Sequence, residues 1–310
     1  MKDLRNIGHA FVLCAIVATT TATAQQDPMY SQYMFNTLAF NPAYAGSGGV
    51  LTAMALSRHQ WVGFSGAPST QTILVHSPLK ADKIAVGFTA MNDRIGATRQ
   101  TSSFVDFAYR IRTGTNTHLS FGLKGGVNIY QADLASLTTV DEGDPANVNT
   151  KGQFLPNFGF GLFWHSPRYY VGLSAPKLLE NKLDAVSGAV LVPTSESRHY
   201  FLIGGYVFDI GRDFKFKPSF MLRNVSGAPL SLDLNANFLL RDRIWFGAMY
   251  RLGNAFGLMG QYLITDQFRA GYAFDLTTSR LGAYNAGTHE IMLSYDFRFL
   301  KGKTISPRYF

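Results

Sequence analysis

A transmembrane β-barrel of outer-membrane type, with about fourteen antiparallel strands, is the fold this sequence predicts. Three observations carry it. Alternation of apolar and polar residues recurs from residue 50 to residue 299, the period that sets one residue set on lipid and the other on a polar lumen. No internal stretch approaches the roughly 18 to 20 consecutive apolar residues of a membrane-crossing helix. The long connections between alternating segments fall on one side only, as in barrels with short periplasmic turns and longer outer loops.

Composition agrees. The chain has 310 residues, 46% hydrophobic and 15% charged, with a mean hydropathy of +0.02, which excludes an extended disordered protein. Its 30 glycines, 25 phenylalanines and 15 tyrosines favour strands and tight turns. Lysine and arginine exceed aspartate and glutamate by 28 to 20. They are scattered, without a run that would track a phosphate backbone, so nucleic acid is not an expected partner.

Residues 1–24 read as a signal peptide: Lys2 and Arg5 begin it, Ala10 to Ala18 is the apolar stretch, and Ala22-Thr23-Ala24 is a cleavage site before Gln25. Cys14, the single cysteine, follows the large Leu13 inside that stretch, which argues against lipoprotein cleavage and leaves the rest of the chain without thiols or disulfides. An exported chain lacking a transmembrane helix still enters a membrane if its backbone hydrogen bonds close between strands.

Residues 25–49 form an N-terminal periplasmic or plug segment. Pro28, Asn41-Pro42 and the run Ala45-Gly46-Ser47-Gly48-Gly49 interrupt regular structure. Tyr30, Tyr33, Phe35, Phe40 and Tyr44 make it too apolar for a free tail, so it is expected to fill the lower lumen or pack on a periplasmic partner.

Residues 50–299 form the barrel. The clearest strands are Ser103–Arg112, Phe214–Arg223, Leu230–Phe238 and Glu290–Phe299; in the last, Ile291, Leu293, Tyr295 and Phe297 alternate with Glu290, Met292, Ser294 and Asp296. Weaker members are Val50–Arg58, Thr70–Ser77, Ile84–Asn92, His118–Tyr130, Asn157–His165, Arg168–Ser174, Arg198–Asp209, Arg243–Arg251, Ala255–Ile264 and Gln267–Asp275. Small residues on their inward face, such as Gly122 and Gly271, suit a curving sheet.

Connections at 78–83, 113–117, 166–167, 211–213, 239–242 and 265–266 are short, whereas 93–100, 131–156, 175–197, 224–229 and 276–288 lie on the other side. An even strand number returns both termini to the periplasm, where residues 300–310, with Lys301, Lys303 and Arg308, form a tail available for docking. Tyr109, Tyr130, Trp164, Tyr169, Tyr170, Trp245 and Tyr250 near strand ends fit interfacial girdles. Arg110, Arg112, Lys124, Lys215, Lys217, Arg223, Arg269 and Arg298 are expected in the lumen, because lipid-facing charge is costly. Asp106, Asp233, Asp275, Glu290 and Asp296 are their expected partners, giving a packed charged interior.

A soluble sandwich or propeller also alternates, but a propeller needs a blade repeat and none is present. The histidines lack metal-ligand spacing, no nucleophile elbow or phosphate loop occurs, and Asp141-Glu142-Gly143-Asp144 has too few ligands for an EF-hand. The expectation is a non-enzyme without cofactor or metal.

Gln26-Asp27-Pro28-Met29-Tyr30-Ser31-Gln32-Tyr33-Met34-Phe35-Asn36, followed by Asn41-Pro42-Ala43-Tyr44-Ala45-Gly46, resembles the N-terminal signature of the PorP/SprF family, outer-membrane proteins of the type IX secretion system in Bacteroidetes. Arg58-His59-Gln60-Trp61 and Gly66-Ala67-Pro68-Ser69-Thr70 resemble its first-hairpin motif, with His59 where a small polar residue is common. Gly287-Thr288-His289-Glu290-Ile291 and Tyr295-Asp296-Phe297-Arg298-Phe299 are similar to its closing strand.

This resemblance implies a barrel that supports secretion or surface attachment of adhesin-type cargo, is associated with gliding motility, and docks a periplasmic lipoprotein or peptidoglycan-binding partner. Asp27, Pro28, Tyr30, Gln32, Tyr33, Asn36, Asn41, Pro42, Tyr44 and Gly46 are then candidate plug or docking residues. Arg58, Gln60, Trp61, Gly66 and Pro68 are candidate structural residues of the first hairpin, with Arg58 pairing inward and Trp61 at headgroup level. The competing function is a porin for diffusion or uptake of small solutes.

Overall fold

A computed structural model describes residues 27–79, 83–136, 149–183 and 194–297. The expected signal peptide, the Asp141–Asp144 loop, Arg298 and the tail from residue 300 lie outside the described residues.

Fourteen strands close into one ring: β1 (Leu51–His59), β2 (Ser69–Pro78), β3 (Ile84–Ile95), β4 (Thr98–Arg112), β5 (His118–Ala132), β6 (Thr150–His165), β7 (Tyr169–Ala175), β8 (His199–Tyr206), β9 (Phe214–Val225), β10 (Ser231–Leu240), β11 (Ile244–Arg251), β12 (Ala255–Leu263), β13 (Phe268–Thr277) and β14 (Thr288–Phe297). Each pairs antiparallel with the next, and β14 closes the ring on β1, with Arg58 opposite Glu290. Closure leaves no edge strand in the ring, the condition for a sheet to sit in hydrocarbon. None of the helices among the described residues is long and apolar enough to cross a membrane.

The faces divide as alternation demands. On β4, Val105, Phe107, Tyr109 and Ile111 are exposed while Asp106, Ala108 and Arg110 are buried. On β14, Ile291 and Leu293 point out and Glu290, Met292 and Ser294 point in. Leu123 on β5 is 63% exposed although large and apolar, which is unfavourable in water and favourable against lipid.

Strand ends differ from expectation where the wall rises beyond the apolar belt. The connection expected over 93–100 is mostly strand: β3 and β4 continue to a turn at 96–97, where Gly96 has φ +56°. Residues 98–102 are polar on both faces, so they carry no apolar alternation to read. β6 likewise begins earlier, at Thr150 rather than at Asn157, and runs through Pro156.

The barrel is filled. Residues from Tyr30 to Ala45 run down the lumen, nearly all buried, in short turns that include a helix at Thr37–Phe40 and a 3-10 turn at Pro42–Tyr44. Asn41 caps the second turn by accepting from the Ala43 N–H at 3.0 Å, and Pro42 begins it, the position where a missing N–H costs nothing. The aromatic residues of this segment pack on inward side chains including Met54, Leu56, Leu74, Phe163 and Met249.

Leu51 and Phe297, the ends of the ring, both lie at the short-turn rim, as an even strand number requires. Asp27 does not. It contacts Lys177 and His199 at the long-loop rim, so the N-terminal segment enters at one rim and reaches β1 at the other.

Candidate functional site

The site is the contact between residues 27–49 and the barrel wall. Its anchor is Arg58, 1% exposed on β1. Arg58 Nη1 donates to Glu290 Oε2 at 2.9 Å and to Ser31 Oγ at 2.7 Å, and Nη2 donates to Asp275 Oδ2 at 3.0 Å. Glu290 in turn accepts from the backbone N–H groups of Ser31 and Gln32, each at 2.9 Å. One guanidinium therefore joins β1, β13, β14 and the inner segment across the seam where the ring closes. Charge-assisted bonds of this kind are strong only while every partner is present.

The other candidate residues follow the segment downward. Tyr30 shares a hydrogen bond with Thr72 at 2.6 Å, Gln32 accepts from Gln261 at 2.9 Å, and the Tyr33 hydroxyl accepts from Asn235 at 2.9 Å. Asn36 is fully buried before the Thr37 helix, and its side-chain polar atoms have no hydrogen-bond partner among the described residues. Asn41 Nδ2 donates to the Leu162 carbonyl at 2.9 Å. Tyr44 meets His76 and Phe163 edge-on, each with centroids 5.5 Å apart. Gly46, at φ +61°, donates its N–H to His76 Nδ1 at 3.2 Å beside Pro78 and Ala85.

At the long-loop rim, Pro28 lines two small cavities, and Asp27 Oδ1 accepts from Lys177 Nζ at 2.7 Å. Burial alone would raise the Asp27 carboxyl, but Lys177 and His199 beside it hold it down at about 2. Its contribution is present above the ordinary carboxyl pKa of about 4 and lost as pH falls through 2. Between pH 5 and pH 2, protease cleavage between residues 27 and 49 should rise more in the wild type than in Asp27→Asn. Equal acid responses would remove Asp27 as the titrating tie.

In the first hairpin, Gln60 N–H donates to the Pro68 carbonyl at 2.9 Å, and the Gly66 carbonyl accepts from Gly96 N–H at 2.9 Å. Trp61 follows the end of β1. Its φ of 47° breaks the strand alternation, and it lines a cavity at the long-loop mouth. Tyr170 and Trp245, expected in the girdle, are buried in the lumen, where Trp245 meets Phe35 edge-on at 5.6 Å. Their strand parity places them with the inward Ser174 and Met249.

The expected interior charges are brought together in part. Lys124 pairs with Asp106 at 3.1 Å and Arg251 with Asp233 at 2.8 Å. Lys217 lies among the rings of Phe35, Tyr170 and Trp245. Arg112 is exposed beyond the wall, donating to the Gly114 and Thr115 carbonyls. Asp296 accepts from Thr52 at 2.7 Å.

The seats that the inner segment needs on the wall are glycines. A Cβ at Gly122 would overlap the backbone of Pro42 and Ala43, and one at Gly161 would overlap the Asn41 side chain. A second element missed in the sequence is the connection after β7. Glu196 accepts from Asn181 at 2.7 Å and Asn157 takes the Leu178 and Leu179 N–H groups, folding this connection inward so that Lys177 reaches Asp27.

Among the described residues no group of three or more His, Cys, Asp or Glu side chains is placed to hold a metal. Fold and site together define an outer-membrane β-barrel whose lumen is occupied by its own N-terminal segment. The chain belongs to the PorP/SprF family: residues 22–295 match the family described as type IX secretion system membrane protein PorP/SprF.

Comparison with curated proteins gives no match. Among solved structures, the chain is similar to the Acinetobacter baumannii outer membrane protein Omp33, at 12% identity and a TM-score of 0.46 over 81% of this chain and 98% of that one. It is also similar to the CymD monoaromatic hydrocarbon channel, at 13% and 0.48 over 88% and 94%. A Pseudomonas aeruginosa FadL homologue matches at 11% and 0.43 over 91% and 99%.

Proposed function

We propose that this chain is a closed, structural component of the type IX apparatus in the outer membrane. It supports secretion or surface attachment of adhesin-type cargo in gliding motility, with the long-loop rim facing outward and the short-turn rim facing periplasmic machinery. The observation that supports this reading over a porin is the filled lumen, tied to the wall by Arg58, Glu290 and Asp275. A diffusion pore needs a continuous aqueous path.

Burial of Tyr30 through Ala45 favours the plug role for this segment over direct partner docking. Docking to a periplasmic lipoprotein or peptidoglycan-binding protein then falls to the short-turn rim and to residues 300–310.

Two measurements test this reading. In planar bilayers the purified wild type should show no steady conductance. Pull-down from detergent-solubilised envelopes should retain a periplasmic partner that is lost when the chain is truncated after Phe299. An open wild-type pore would support the porin instead, and partner retention by the truncated chain would remove the tail from the interface.

A further inference from the structure

A cavity of about 230 Å³ lies at the long-loop mouth, above the Arg58 network. Its cations are committed: Arg58 to Asp275 and Glu290, and Arg251 to Asp233 through Nε and Nη2. Of its carboxylates, Asp275 has Arg58 and Asp27 has Lys177. Asp93 is the exception. It is 6% exposed, its Oδ1 accepts from the Thr70 hydroxyl at 2.6 Å, and it has no ion pair among the described residues. A buried carboxylate with one neutral donor is poorly compensated, and a cation brought beside it relieves that cost.

Trp61 lines the same cavity. Its left-handed backbone is held by Trp61 N–H on Thr288 Oγ1 at 3.3 Å and by Val62 N–H on the Gly287 carbonyl at 2.9 Å. A bulky residue keeps such a conformation only where its surroundings enforce it. Beyond the strand ends, the two connections that meet here expose Val62, Phe64, Leu281 and Tyr284, and Ile95 is exposed beside them. These are apolar side chains exposed at the long-loop end, where the connection carrying Val62 meets residues 286 and 287.

We propose that this cavity binds the side chain of an arginine carried on an extended polypeptide segment approaching from the long-loop side. The guanidinium pairs with Asp93 and lies against Trp61, as a planar, weakly hydrated cation does best. The flanking residues of the segment cover the apolar side chains exposed at the long-loop end. The inner segment blocks the path below, so a side chain fits and a translocating chain does not.

The test uses the purified full-length protein in detergent and three blocked peptides: acetyl-Gly-Arg-Gly-amide, its citrulline counterpart of the same shape without the charge, and acetyl-Leu-Arg-Leu-amide. Titration calorimetry should show arginine favoured over citrulline by about tenfold or more, the range for a charge-assisted bond in a desolvated site. The leucine-flanked peptide should bind tighter again, and Asp93→Asn should abolish the preference for arginine. Equal binding of arginine and citrulline peptides to the wild type, or no binding of either, overturns the proposal without need of a variant. Binding of acetyl-Gly-Arg-Gly-amide as tight as that of the leucine-flanked peptide overturns the assignment of the flanking residues to the apolar side chains of the mouth.

Discussion

Arg58→Ala is expected to destabilise the barrel by about 3 to 5 kcal/mol, the cost of removing one partner from a buried ion network. The substitution leaves Asp275 and Glu290 facing each other, both buried and without their shared cation. It also removes a donor to Ser31. The loss falls on the β1–β14 seam, the pairing of greatest sequence separation in the ring. Urea unfolding followed by the electrophoretic shift of the folded barrel will measure it. Arg58→Lys should recover only part, because an ammonium does not reproduce the two-pronged geometry. Combining Arg58→Met with Asp275→Asn and Glu290→Gln should recover most, because the stranded charges go with their partner. An Arg58→Ala protein within about 1 kcal/mol of wild type, the level of an ordinary surface ion pair, would show that the network does not hold the seam.

The strands were legible because lipid and lumen impose opposite demands on neighbouring residues, most clearly on β4 and β14; where the inner segment packs, as on β1, the inward face carries Met54 and Leu56 as well. At the top of β4 residues 98–102 are polar on both faces, so no alternation marks them as strand. The inward direction of the carboxylates at 275 and 290 was legible from the same parity, and that of Arg58 came from the first-hairpin motif, since its strand face also carries Met54 and Leu56. The path of the inner segment was not, since it depends on contacts such as Asp27 with Lys177 that no local pattern encodes. Strand-end aromatics gave an ambiguous signal: Tyr170 and Trp245 look like girdle residues by position, and only their parity with Ser174 and Met249 assigns them to the lumen. In the sequence alone Gly122 suits a curving sheet. Its physical reason is the approach of the Pro42–Ala43 backbone.

Gly122→Val therefore offers a direct way to unseat the inner segment while sparing the wall. The new side chain would occupy space held by backbone atoms of Pro42 and Ala43, which cannot rotate aside as a side-chain tip can. The wall at this point is fixed on both sides, with Gly122 opposite Ala108 on β4 and Gly161 on β6. The inner segment is held there by fewer ties, chiefly Asn41 on the Leu162 carbonyl. Movement should fall on the segment. An overpacking penalty of about 3 kcal/mol lowers its seated-to-unseated ratio by about a hundredfold. The expected readouts are protease cleavage between residues 27 and 49 and ion conductance in planar bilayers, with the electrophoretic shift of a folded barrel retained. Gly125→Val on the same strand is the control, because nothing lies within 4 Å of a Cβ built there. If Gly122→Val stays closed and protease-resistant like Gly125→Val, the glycine is not the seat, and occlusion of the lumen must rest on the Arg58 anchor and the ties above it.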